Sequence, residues 1–171
     1  VETELINEIK KFTFVTKIDD VRKLKNNKFT MEIDVESSLK ESYINQSNSQ
    51  LKQFNIDILH NKGYKGEGVS ILVIDTGFTL DHECLTHLKE RIYEEQTKDF
   101  INNDNIVENQ INDVRSQHNH GTYILSVLAG LKENRIHGIC PEANFLLAKT
   151  ENLVEEDIIE EYHFVEAVEW G

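Results

Sequence analysis

Cysteine is scarce in this chain, with only Cys84 and Cys140 in 171 residues, so no disulfide framework holds the fold. Cations are also few: 18 Lys and Arg stand against 31 Asp and Glu, a formal net charge of −13. Phosphate binding needs a basic stripe, and none occurs, which argues against nucleic acid as a partner. No apolar run is long enough to cross a bilayer, so membrane insertion is not expected. Cys-x-x-Cys and His-Glu-x-x-His spacings are both missing, and a zinc site drawn from His82, Cys84, His118, His120 and Cys140 therefore has no pattern behind it. The chain opens with neither methionine nor a signal peptide, so Val1 does not read as a natural start. Gly66-Glu67-Gly68 precedes an apolar run instead of following it, which excludes a dinucleotide fingerprint.

What is present begins with that run. Val69, Ile71, Leu72, Val73 and Ile74 suit a strand buried on both faces of a parallel sheet, and such a strand delivers Asp75 to its carboxyl end. In open α/β sheets, ligands and reactive groups collect at that edge. Gly77 permits a tight departure of the backbone from Asp75-Thr76-Gly77, leaving the carboxylate to be held by nearby amides. A plain β-turn with no chemistry is the alternative reading of this tripeptide alone.

Forty-five residues after Asp75, His120-Gly121-Thr122 opens the segment Tyr123 to Gly130, which reads as a largely buried helix with His120 in its first turn. The dipole at a helix start disfavours imidazolium, and a neutral imidazole can take a proton from a nucleophile while a carboxylate on its other nitrogen fixes the tautomer. His118 reads as a solvated loop histidine, His82 as structural, and nothing recommends His137 for chemistry.

Together these segments resemble the subtilisin-like serine peptidases, the subtilases, in which an Asp-Thr-Gly motif comes first, a His-Gly-Thr motif second and a Gly-Thr-Ser motif far downstream. Leu59 to Val69 resembles the family's leading segment, Gly138 to Lys149 its Gly-Val-Ala-Pro-x-Ala strand, and Val165 to Gly171 the end of the following helix. The resemblance implies an α/β fold, a doubly wound parallel sheet of the subtilisin type that is incomplete in this chain. It implies a serine-type endopeptidase acting on protein or peptide substrates, with Asp75 orienting the base and His120 as the base.

The family's oxyanion-hole asparagine, substrate-binding strand and nucleophilic serine would lie beyond Gly171; Ser116 and Ser126 sit in no matching motif. The fragment alone is therefore expected to be inactive, because triad members act as a unit. Two other readings remain: a non-catalytic subtilase-like binding module that lacks the nucleophile, and a generic doubly wound binder of small ligands. By resemblance only, the protein is expected to be secreted or exported to the cell envelope.

No cofactor is expected. Calcium is the one metal the resemblance raises: Cys84 stands where many bacterial family members carry a calcium-ligating aspartate, Gln50 matches another ligand of that site, and Asp81 is a residue that could compensate for Cys84. A thiol is a poor ligand for a hard cation. Cys140 replaces a small alanine before Pro141 and reads as a buried small residue.

Residues 1–36 resemble the C-terminal part of a propeptide, with a short amphipathic helix at Glu4 to Lys11 and strand-like alternation at Phe12 to Ile18 and Val21 to Leu24. An extension with no inhibitory role is the alternative. Residues 37–49, rich in serine and asparagine, read as a linker, and residues 50–171 as the N-terminal part of the peptidase domain. A helix is expected from Leu51 to Asn61. Tyr93 to Gln117 reads as a polar surface loop with a short strand near Asp99, and the acidic residues from Glu151 to Glu169 as a solvated helix face.

Overall fold

The computed structural model describes residues 3–13, 15, 17, 18, 46–133, 135–154 and 158–171. Its elements in chain order are α1 (Thr3–Ile9), α2 (Gln46–Gln53), α3 (Ile56–Asn61), β1 (Ser70–Asp75), α4 (Thr86–Lys89), a single 3-10 turn (Glu94–Gln96), β2 (Thr97–Asp99), α5 (Asn119–Ala129), β3 (Leu131–Lys132), β4 (Ile136–His137), β5 (Asn144–Lys149) and α6 (Ile159–Trp170).

β1, β5 and β2 form a three-stranded sheet in that order, all parallel, in a mixed helix and strand fold. The last strand in sequence takes the middle place. β5 is accordingly buried along most of its length, whereas β1, paired on one side among the described residues, starts at exposed Ser70 and continues with half-buried and buried residues. Among the described residues, the apolar strand flanked on both sides by other strands is Phe145 to Ala148. In the register, Asp75 at the end of β1 lies opposite Lys149 at the end of β5, and Asp99 at the end of β2 lies opposite the same lysine. Three charged residues therefore share one sheet edge.

α5 and α6 both pack on β1. The core between sheet and helices is built from Val73, Phe78, Leu85, Leu125, Phe145 and Leu147 with their neighbours. Among the described residues, Gly121, Thr122, Leu125 and Ala129 line one buried face of α5, while Tyr123 and Val127 on the other are more than half exposed. Its C-terminal carbonyls do not go unpaired. The amides of Gly138, Ile139 and Cys140, just after β4, donate to Gly130, Val127 and Leu128. The following turn is held by Arg91, whose guanidinium donates to the carbonyls of Pro141, Glu142 and Ala143 at 2.8–3.1 Å.

Near the N-terminus, α2 begins at Gln46, inside the segment read as a linker, and the single helix expected from Leu51 is broken by Asn55, which adopts a left-handed conformation at φ 58°. Asparagine tolerates that region better than most residues, which makes it the point where the chain changes direction. Described residues between Phe12 and Ile18 form turn and irregular backbone, not a strand, and Val21 to Leu24 lies outside the described residues. Among the described residues, no helix is long and apolar enough to cross a membrane.

Candidate active site

Asp75 sits at the carboxyl end of β1 and is almost fully buried. Its Oδ1 accepts hydrogen bonds from the next residue twice, from the Thr76 amide at 2.7 Å and the Thr76 hydroxyl at 3.1 Å. The chain then turns at Gly77 with φ 127°, a conformation side chains disfavour, and a Cβ there would approach the Val107 carbonyl to 2.9 Å. The turn is therefore both strained for other residues and closely packed. The Phe78 amide donates to that same carbonyl at 2.8 Å, which fixes the departing backbone.

His120 is the second residue of α5, and its Nδ1 lies 2.9 Å from each Asp75 carboxylate oxygen. The carboxylate accepts, so Nδ1 carries a proton, and Nε2 lies on the far side of the ring. The imidazole is 65% exposed and the carboxylate only 8%. A buried acid holding an exposed, correctly oriented imidazole can serve as an acid–base pair for a group arriving from solvent.

The remaining motif residues explain how helix and strand end come so close. A Cβ on Gly121 would meet the Gly77 carbonyl at 2.3 Å and Asp75 Oδ1 at 3.0 Å, so only glycine lets α5 start this near the turn. Thr122 accepts from the Thr79 amide at 3.0 Å and donates to the His118 carbonyl at 2.6 Å, pinning the first turn to the segment after Gly77. Each residue of Asp75-Thr76-Gly77 and His120-Gly121-Thr122 thus has a geometric task.

The other histidines stand apart from this pair. His118 is not the solvated residue expected. It is half-buried, its Nδ1 is enclosed without a hydrogen-bond partner among the described residues, and burial holds its pKa below the usual value despite Glu108 and Asp113 nearby. The packing of α5 against the preceding loop, which also ties the His118 amide to Asn109, draws the ring inward. His82 places Nδ1 3.1 Å from the Cys84 thiol, and His137 lies against His60 in a tilted ring contact at 4.8 Å between centroids. Burial pushes the Cys84 and Cys140 thiols up. Cys84 is buried against His82, and Asp81 is paired with Lys89. A protonated thiol is a poor ligand for a hard cation.

The polar segment from Tyr93 to Gln117, read from sequence as surface loop, supplies interior groups. Lys149 Nζ lies 2.9 Å from Asp99 and 2.7 Å from Asp113, with both the lysine and Asp99 fully enclosed. Burial opposes the ammonium charge, but hydrogen bonds to Asp113 and Asp99 outweigh it and raise the Lys149 pKa. Gln117 is also fully buried and donates to the Thr76 and Glu151 carbonyls. Sequence reasoning missed these residues because isolated polar letters in a polar stretch read as solvated; the one signal was Lys149 at the end of an otherwise apolar strand.

A sequence model of the subtilase family matches residues 66–167. The chain is also similar to the major intracellular serine protease of Bacillus subtilis (strain 168), 34% identical over 89 residues, which are 52% of this chain and 25% of that protein. The chain thus spans about a quarter of the length of that curated relative. The family match takes in β1 with Asp75, the start of α5 with His120 and the central strand β5, well over half of the residues, and on that ground the chain belongs to the subtilase family.

Proposed function

We propose that this chain carries the acid–base half of a serine endopeptidase, in which Asp75 holds His120 and His120 deprotonates a serine supplied by residues outside the 171. The observation that carries the reading is the 2.9 Å contact of His120 Nδ1 with a buried Asp75, which leaves Nε2 facing outward. In the reaction, Nε2 takes the serine proton as the hydroxyl oxygen attacks the peptide carbonyl. The imidazolium so formed is stabilised by the Asp75 carboxylate and then returns the proton to the leaving amine. Asp75 itself needs no proton, because the Thr76 amide and hydroxyl already support its charge. The sheet would extend in the doubly wound manner of the family, and substrates would be proteins or peptides, with no role for calcium in the proton transfers.

The test uses the intact gene product with a fluorogenic peptide and a serine-directed fluorophosphonate. His120→Ala is expected to lower turnover by on the order of 10⁶, and Asp75→Asn by on the order of 10⁴, since the carboxamide would select the wrong imidazole tautomer. An intact product that neither hydrolyses peptides nor takes the label would overturn the proposal in favour of a binding module. So would His120→Ala with undiminished activity.

A further inference from the structure

We propose that Gln117 is a positioning residue that locks the Asp75 turn, the approach to His120 and the segment from Glu151 to Leu153 into one geometry; the inference rests on the roles proposed for Asp75 and His120. Three strands of chain meet at the carboxyl edge of β1 and β5, and the Gln117 amide joins all three. Its Nε2 donates to the Thr76 carbonyl at 2.8 Å and to the Glu151 carbonyl at 2.5 Å, and its Oε1 accepts from the Leu153 amide at 3.0 Å. The residue is fully buried, and its own amide is bound to the Val114 carbonyl at 2.9 Å.

The placement makes this hub more than a packing detail. Thr76 is the residue whose amide and hydroxyl hold the Asp75 carboxylate, so a bond to the Thr76 carbonyl acts on the next peptide plane. Gln117 also lies three residues ahead of His120 and two ahead of the start of α5. A single side chain thus fixes the carboxylate turn from one side and the helix start from the other. Beyond β5, the Thr150 amide donates to the Asp75 carbonyl at 3.0 Å, so the segment gripped at Glu151 and Leu153 is already tied to the same turn. Only glutamine supplies two donors and one acceptor at this reach. Glutamate lacks the donors, asparagine is one methylene shorter, and methionine matches the length without any polar atom.

The experiment compares wild type with Gln117→Met in the intact gene product carrying ¹⁵N-labelled histidine. Thermal unfolding reports the fold, the His120 Nδ1–H resonance and its pH titration report the dyad, and peptide hydrolysis reports turnover. The expected result is a folded variant with a shifted His120 titration and kcat lowered by on the order of 10², KM being little changed, because misplacement of about 1 Å suffices for such a loss. A folded variant with unaltered His120 titration and kcat overturns the proposal. Should Gln117→Met not fold, Gln117→Glu, which keeps the shape and the acceptor, is read by the same two criteria. If the wild-type product shows no peptidase activity, the proposed function fails, yet the His120 titration still decides whether Gln117 positions the pair.

Discussion

Replacing Lys149 with methionine offers a measurable test of the buried charge cluster beneath the candidate site. The substitution keeps the aliphatic reach and removes the ammonium, leaving the Asp99 and Asp113 carboxylates facing one another in the interior. Breaking a buried pair by deleting one partner costs about 3–5 kcal/mol. Asp99 retains four other donors, the Ile101 and Asn102 amides and the Asn102 and Gln110 side chains, and Asp113 retains the Gln110 amide. The loss should therefore fall at the lower end, about 3 kcal/mol, read from urea unfolding midpoints at pH 7. Adding Asp113→Asn to Lys149→Met should recover part of it, since the two positions share one network. The pH dependence follows from the raised Lys149 pKa. A cation whose folded pKa lies above its unfolded value contributes stability that is fully present below the ordinary lysine value of about 10.4, and this is lost as pH climbs through the higher folded value. The gap between wild type and variant should thus stay constant through neutral pH and narrow only in strong alkali. A loss under about 1 kcal/mol at pH 7, the size expected of a surface pair, would refute the reasoning.

Two further outcomes are expected. Gly121→Ala places a methyl 2.3 Å from the Gly77 carbonyl, and overpacking of that kind costs about 1–3 kcal/mol or more; thermal unfolding should shift down by several degrees, and the His120 Nδ1–H signal should weaken as α5 is pushed from Asp75. His118 is held below its ordinary pKa by burial, so the unfolded chain binds the proton first as pH falls: stability should decline from about pH 6.5 downward, and His118→Asn should flatten that decline in unfolding curves taken at pH 7.5 and 5.5.

The two motifs were legible in the sequence because each compresses its geometry into adjacent residues. An apolar run ending in Asp75, and a helix opening at His120, needed no distant information, and the structure brings the two within hydrogen-bond reach. The central strand was legible as an apolar segment at Phe145 to Ala148, but its place between β1 and β2 was not, since pairing order depends on where the crossovers return. Which face of α5 is turned inward was not legible: an apolar helix says how much surface can be buried, and only packing says which face is. The interior polar residues were the least legible. Asp99, Asp113 and Gln117 lie among asparagines and glutamates that are mostly exposed, and what separates them is a partner elsewhere in the chain. A break at Asn55 was equally silent, because asparagine is compatible with helix and turn alike.

Polar groups gather in the interior around the candidate site, and their burial bears on its geometry. Asp75, Thr76, Asp99, Gln117, Lys149 and Thr150 are all nearly or fully buried, while Tyr123, Val127, Phe164, Val165 and Val168 on α5 and α6 are more than half exposed. Burying polar groups is costly unless each finds its partners. Here the carboxylates, the ammonium and the amide are each bound to named groups, and the bonds converge on the edge where β1 and β5 end. Apolar packing tolerates small slips, whereas a satisfied polar network in a low-dielectric interior admits essentially one arrangement. An imidazole as exposed as His120 has little packing of its own to orient it. Its direction must come from what lies beneath, and a network of this kind, anchoring the Asp75 turn from Thr76, Gln117 and Thr150, holds the carboxylate in place so that the ring can remain open to solvent.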